Sequence, residues 1–164
     1  MYIIKTIYLS LLILLSFTAN ASTLQTCTKL GGVMVNELKC PKSKKNRTGK
    51  FCVLSGKPLV YFNGCTGGFG KYSDTFFKAC LKHDFCYHHE PATNNLSKKT
   101  CDEKFFNNMT LVCNAENNRL KYFTCLGAAW SFYQAVKVGG KKSWECSDSK
   151  FDYSDLDKIL NSLK

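Results

Sequence analysis

Two short runs, Cys80-Leu81-Lys82-His83-Asp84-Phe85-Cys86-Tyr87 and Cys101-Asp102-Glu103-Lys104-Phe105, hold the side chains best suited to moving a proton. Histidine is the side chain whose unperturbed pKa lies close to neutrality, so His83 can serve as a general base. A carboxylate such as Asp102 can fix which ring nitrogen carries the proton and stabilise the imidazolium that forms. On a helix, Cys80, His83, Asp84 and Tyr87 share one face by their three- and four-residue spacing. A bridge from Cys86 to Cys101, if formed, brings Asp102 from a second helix toward the imidazole. The chemistry in prospect is hydrolysis by an activated water. No serine or cysteine is placed as a nucleophile, so the developing oxyanion needs a cation held by Asp84 and backbone oxygens, with a loop amide such as that of Thr66 assisting. Calcium suits that ligand set, because it accepts several oxygens in flexible geometry.

The elements that must position these groups read as mainly α. Ser73 or Asp74 caps a helix running to about His89 and stopped before Pro91. A second helix starts after Ser97 and runs to about Glu116, with Cys101, Phe105, Asn108, Met109 and Val112 on one face. A third spans about Tyr122 to Val138, and Gly139-Gly140 offers a left-handed C-terminal turn. Asp155 to Leu163 reads as a short tail helix. Tyr61 to Gly70 is too glycine-dense for a regular element, and Ser22 to Leu59 reads as irregular, with room for a short helix or a strand pair. Phe76, Phe77 and Trp130 are assigned to the core, and His88 and His89 to structural positions.

Residues 1–21 carry Lys5 as their only charge, an apolar stretch from Ile7 to Phe17 and the small-residue ending Ala19-Asn20-Ala21, the pattern of a secretory leader cleaved before Ser22. Residues 22–164 then form a single domain holding all ten cysteines, which implies about five disulfides in an oxidising compartment. No Cys-x-x-Cys pair occurs, which argues against a structural zinc site. The formal charge is +11, of which the leader contributes Lys5, and such a balance favours anionic partners. The basic stretch Lys39 to Lys50 reads as a solvated loop. A secreted basic ribonuclease would need convergent acid-base groups and a phosphate-binding lysine; no such arrangement is seen, and no nucleic-acid partner is expected.

The Gly64-Cys65 loop with its following glycines, Cys80-x-x-His83-Asp84-x-Cys86-Tyr87 and Cys101-Asp102-x-x-Phe105 resemble the secreted, calcium-dependent phospholipase A2 family, over about Tyr61 to Cys113. The resemblance implies a small disulfide-rich fold with two antiparallel catalytic helices joined by Cys86–Cys101, and a glycine-rich calcium loop tied to the first helix by Cys65–Cys80. It further implies Asp84 as a side-chain calcium ligand, with backbone carbonyls near Gly64, Thr66 and Gly68 as others. His83 would be the base, Asp102 its orienting carboxylate and Tyr87 a hydrogen-bonding support. The expected substrate is a glycerophospholipid, met by a monomer at a peripheral, anionic lipid surface, with Phe62, Phe69 and Tyr72 at the rim of an apolar acyl channel. Larger animal members carry one more bridge, at positions occupied here by Ala79 and Asn108, and a β-hairpin wing for which the fourteen residues between Cys86 and Cys101 leave no room. The chain therefore resembles the compact bacterial or fungal type. Thr66 stands where a glycine is usual, and Tyr133 is the candidate for a second supporting tyrosine. A catalytically silent, membrane-binding relative is the alternative; such relatives usually lose the histidine or the aspartate present here as His83 and Asp84.

Overall fold

Helix α3 (Phe77–Thr93) is apolar on two sides, and the rest of the chain is arranged to cover both. The computed structural model describes residues 21–40, 43–54, 60–66, 70–146 and 160. Before α3 come helix α1 (Ala21–Lys29), strands β1 (Val33–Lys39), β2 (Asn46–Leu54) and β3 (Val60–Phe62), and the short helix α2 (Lys71–Thr75); after it come α4 (Lys98–Asn114), α5 (Arg119–Gly139) and the turn-length α6 (Lys141–Trp144). The fold is mainly helical and stapled by disulfides.

One side of α3 presents Phe77, Leu81 and Phe85 at four-residue spacing to Phe62 of β3, the Cys27–Cys52 bridge and Leu160. The other presents Ala79 and Cys80, with Phe76 just before the helix, to Phe105 and Met109 of α4 and Phe132 of α5. Leu81 and Phe85 are 1 % and 0 % exposed, so each contributes about 1.5–3 kcal/mol by leaving water. Four residues connect α3 to α4, and Ser97 caps α4 by accepting from the Thr100 amide at 3.1 Å. Asn118 does the same for α5 through the Lys121 amide at 3.0 Å.

All ten cysteines are paired: Cys27–Cys52 joins α1 to β2, Cys40–Cys146 joins the end of β1 to the residues after α6, Cys65–Cys80 joins the glycine loop to α3, Cys86–Cys101 joins α3 to α4, and Cys113–Cys125 joins α4 to α5. Among the described residues no helix is long and apolar enough to cross a membrane. The leader expected over residues 1–21 lies outside the described residues except Ala21, which opens α1, and the expected tail helix does so except Leu160.

Several expectations need correction. The segment read as irregular, Ser22 to Leu59, builds α1 and two strands of a three-stranded antiparallel sheet of order β1-β2-β3, in register Met34 to Cys52 to Phe62. In the basic stretch Lys39 and residues 46–50 belong to β1 and β2, whereas Lys44 and Lys45 lie exposed between the strands and residues 41–42 lie outside the described residues. Pro91 sits inside α3, in its last turn, where a missing amide removes only one helical hydrogen bond. Phe62 is fully buried against Phe85 (ring centroids 6.0 Å) and so is no channel rim. Trp130 is 52 % exposed, not core. Gly140 is right-handed, φ −72°, and the chain passes through it into α6. Its lack of a side chain answers a packing need instead, because a Cβ there would lie 2.4 Å from the Val136 carbonyl oxygen and 2.5 Å from the Tyr87 hydroxyl. Gly140→Ala is therefore expected to lower stability by about 1–3 kcal/mol, the usual cost of overpacking, and urea denaturation measures it; a variant as stable as the parent would contradict this contact.

Candidate active site

Helix α3 delivers His83, Asp84 and Tyr87, and the N-terminal part of α4 delivers Asp102, so the site depends on how these two helices are clamped. Their contacts run antiparallel, Tyr87 and His83 to Asp102 and His83 onward to Phe105. The Cys86–Cys101 bridge lies one residue from Tyr87 and one from Asp102. His83 Nε2 lies 3.0 Å from Asp102 Oδ1, and the Tyr87 hydroxyl donates to the same oxygen at 2.5 Å. The imidazole is 7 % exposed, stacked on Phe105 (ring centroids 4.5 Å, 25°) and tilted against Tyr87 (4.1 Å).

The other carboxylate oxygen of Asp102 accepts from Lys98 Nζ at 2.8 Å, and that ammonium also donates to the carbonyls of Val136 (3.0 Å) and Lys137 (3.3 Å) near the end of α5. Lys98 thus stands where a second supporting tyrosine was sought, and Tyr133 packs instead with Phe106 and Trp130. The signal for Lys98 was its four-residue spacing from Asp102 at a helix start, which any solvated ion pair shares.

These contacts set the protonation states. Burial works to raise the Asp102 pKa, but hydrogen bonds from His83, Lys98 and Tyr87, with the Lys98 charge, hold it below the usual carboxylate range. Burial pushes His83 below its ordinary value against the pull of Asp102, and Lys98 adds to the lowering. Tyr87 is held protonated by burial and by Asp102. The pair is then an ionised carboxylate beside a neutral imidazole. Since an ionised carboxylate only accepts, Nε2 carries the proton and Nδ1 keeps its lone pair.

Asp84, on the same helix, points to the loop after β3. Its Oδ2 accepts from the backbone amides of Asn63 (2.9 Å) and Gly64 (2.7 Å). With its amide nitrogen turned toward Asp84, the Asn63 side chain donates to Oδ1 at 3.1 Å and accepts from Thr66 Oγ1. Gly64 has φ +66°, a left-handed conformation, and a Cβ there would lie 2.5 Å from Thr23 Oγ1 of α1, so glycine is required on two counts. The Thr66 amide donates to the Gly64 carbonyl at 2.9 Å, closing a tight turn. Gly68 and Phe69 lie outside the described residues. Burial raises the Asp84 carboxyl to about 7, although the two amides and Arg47 pull it down. Such a carboxylate is short of positive charge. Among the described residues Asp84 is the one acid lining the cavity beside His83, and a carboxylate oxygen is a hard donor of the type calcium takes, although here its Oδ2 is engaged by two amides; among the described residues no group of three or more His, Cys, Asp or Glu is gathered.

Gly64, Thr66, His83 and Asp84 line one cavity together with Phe132 and Val136 of α5. These apolar walls come from a helix that the sequence connects to the site only through Tyr133. Tyr72, assigned to the rim, is half-buried, stacks on Phe76 and hydrogen-bonds Thr124 on α5 at 3.2 Å. His88 and His89 are buried on another side of α3, His88 with its ring 4.0 Å from Tyr61.

The profile of the prokaryotic phospholipase A2 family matches residues 58–140. The chain belongs to that family. The match takes in the loop, α3, α4 and α5 of this prokaryotic phospholipase A2 relative, whereas α1, β1, β2 and Cys146 lie beyond it. No curated protein and no solved structure matches the chain.

Removing the Lys98 ammonium leaves a buried carboxylate oxygen without its donor. Lys98→Met is expected to destabilise the fold by about 1–3 kcal/mol, and Lys98→Arg to recover most of that loss. Urea denaturation of both variants checks it; equal stability of the methionine variant and the parent would remove Lys98 from the network.

Proposed function

We propose that the protein is a secreted, calcium-dependent phospholipase A2 that cleaves the sn-2 ester of glycerophospholipids to a fatty acid and a lysophospholipid. The observation that carries this reading is the buried His83–Asp102 contact on a cavity that also contains Asp84 and the Gly64–Thr66 turn. Family membership, five disulfides and the leader-like start of the sequence support it.

Calcium, held by Asp84 and the carbonyls of Gly64, Thr66 and Gly68, would supply the positive charge that steadies the oxyanion of the attacked ester. His83 uses its Nδ1 lone pair to take a proton from the attacking water. Asp102 keeps the Nε2 proton in place and stabilises the imidazolium. Tyr87 and Lys98 hold Asp102 ionised and fixed. The imidazolium then returns its proton from Nδ1 to the departing sn-2 oxygen of the lysophospholipid, which leaves His83 neutral for the next turn. Phe132 and Val136 offer the acyl chain an apolar wall and keep bulk water off the imidazole. The substrate is reached at an anionic lipid surface by the monomer.

Fatty-acid release from mixed phospholipid vesicles, with calcium and with excess chelator, tests the reading. Release is expected only with calcium. His83→Gln should keep the fold and lose at least about 100-fold in turnover, the lower end of what a positioned base supplies. Asp84→Asn should lose calcium binding, read by calorimetry. Undiminished release in chelator, or from a folded His83→Gln, would overturn the assignment.

The raised pKa of Asp84 adds a pH signature. Its folded pKa of about 7 exceeds the ordinary 3.8, so the folded chain without metal holds this proton more tightly than the unfolded chain. The resulting stability is complete below about pH 4 and is lost as pH rises to about 7. Calcium must displace the proton, so its affinity should weaken by up to about tenfold per pH unit below 7, with proton release near neutrality. Calorimetry in buffers of different ionisation enthalpy measures that release; calcium binding without it would contradict the environment described for Asp84.

A further inference from the structure

Helix α5 buries Cys125, Ala129 and Phe132 and also carries large apolar side chains on its opposite side. Leu120, Phe123, Gly127 and Trp130 recur at three- and four-residue spacing, and the three large ones are 74 %, 55 % and 52 % exposed. A Cβ added at Gly127 would meet nothing within 4 Å, so the stripe is also unobstructed. Phe106 and Tyr133 brace Trp130 from beneath, at ring-centroid distances of 5.8 and 5.5 Å. The stripe is flanked by cations. Arg119, Lys121 and Lys137 are the charged residues of α5, and its sequence contains no acid. The Arg119 guanidinium lies 5.8 Å from the Phe123 ring centre, and Lys137 Nζ lies 5.8 Å from that of Tyr133.

We propose that this outer face of α5 lies on an anionic lipid surface, with Leu120, Phe123 and Trp130 entering the boundary between headgroups and acyl chains and Arg119 and Lys137 pairing with lipid phosphates. An exposed apolar stripe bordered by cations on a helix of 21 residues has the chemistry of an interfacial helix. Anionic headgroups complement both the local charge and the +11 of the whole chain. A second copy of the chain fits less well, because a two-fold antiparallel pairing of the same faces would set Arg119 of one copy against Lys137 of the other. The inference rests on the phospholipase reading in that it names the surface on which the substrate is met. Because the cavity lies along the inner face of α5, the stripe anchors the protein and leaves the reacting groups untouched.

Co-sedimentation with phosphatidylglycerol vesicles and with phosphatidylcholine vesicles tests the surface directly. The protein should bind the anionic vesicles more tightly, and Leu120→Ser with Phe123→Ser should weaken that binding at least about tenfold. Arg119→Glu with Lys137→Glu should also weaken it and flatten its dependence on salt. Acyl chains brominated near the carbonyl should quench the tryptophan emission of the parent and lose that quenching in Trp130→Phe. Binding unchanged in the serine variant, or quenching kept in Trp130→Phe, would overturn the proposal. So would a parent dimer in sedimentation velocity that the serine variant converts to monomer, since the occupant would then be a second copy. Far-UV circular dichroism verifies that each variant is folded, and hydrolysis of dispersed short-chain phospholipid should be equal in parent and serine variant. If neither hydrolyses it, the phospholipase reading fails while co-sedimentation still decides the docking face.

Discussion

Asp102 is 3 % exposed, and a carboxylate so far from water persists as an ion only if donors replace its hydration. It has three: His83 and Tyr87 from α3 and Lys98 from its own helix. Lys98 in turn donates to two carbonyls at the end of α5, that of Val136, which the Gly140 amide also reaches, and that of Lys137. One charge therefore sets the register of α3 on α4 and the resting place of the helix that walls the cavity. Gly140 belongs to the same constraint, since only an absent side chain lets the Tyr87 hydroxyl come close to the Val136 turn. The Cys86–Cys101 bridge closes a loop of about 15 residues, which in the chain-entropy view removes about 3 kcal/mol of freedom from the unfolded chain. It does so beside the groups whose spacing matters most.

His83 and His88 illustrate how position decides role. Both are buried on α3, and burial holds both below their ordinary pKa. His88 sits against Tyr61, with its charged form further opposed by His89 and Arg47, so it is a neutral packing group. His83 faces a carboxylate that steadies the protonated ring whenever it forms. A base needs both properties, neutrality at rest and support once charged. The lysine behind Asp102 balances them, because it keeps the carboxylate ionised while disfavouring a permanent imidazolium.

Much of the helical half could be read directly from residue spacing. The Ser97 cap, the apolar face of α4 and the grouping of Cys80, His83, Asp84 and Tyr87 follow local rules, and α4 and α5 end within a few residues of where periodicity places them. What escaped the reading depends on contacts distant in sequence. Strands β1 and β2 carry Lys39, Gly49 and Lys50 at exposed positions, and the burial of Cys52 rests on α3 and on the Cys27–Cys52 bridge, so the alternation was obscured. Trp130 was assigned to the core by residue type, although its helix has two apolar faces and only one is covered. Gly140 resembled a helix stop because the demand of Tyr87, more than fifty positions earlier, leaves no local trace. Phe62 looked like a loop aromatic until pairing with Cys52 placed it in a strand.

The tautomer of His83 is where fold and proposed chemistry meet, and it can be observed in solution. Nitrogen-15 NMR of the imidazole side chains at pH 7 distinguishes a protonated ring nitrogen from a bare one. Asp102 as an ionised acceptor predicts a protonated Nε2 and a bare Nδ1 at His83, with the Nε2 proton shielded from exchange in the parent and losing that protection in Asp102→Asn. A proton on Nδ1, or an Nε2 proton indifferent to Asp102→Asn, would contradict the arrangement on which the catalytic assignment stands.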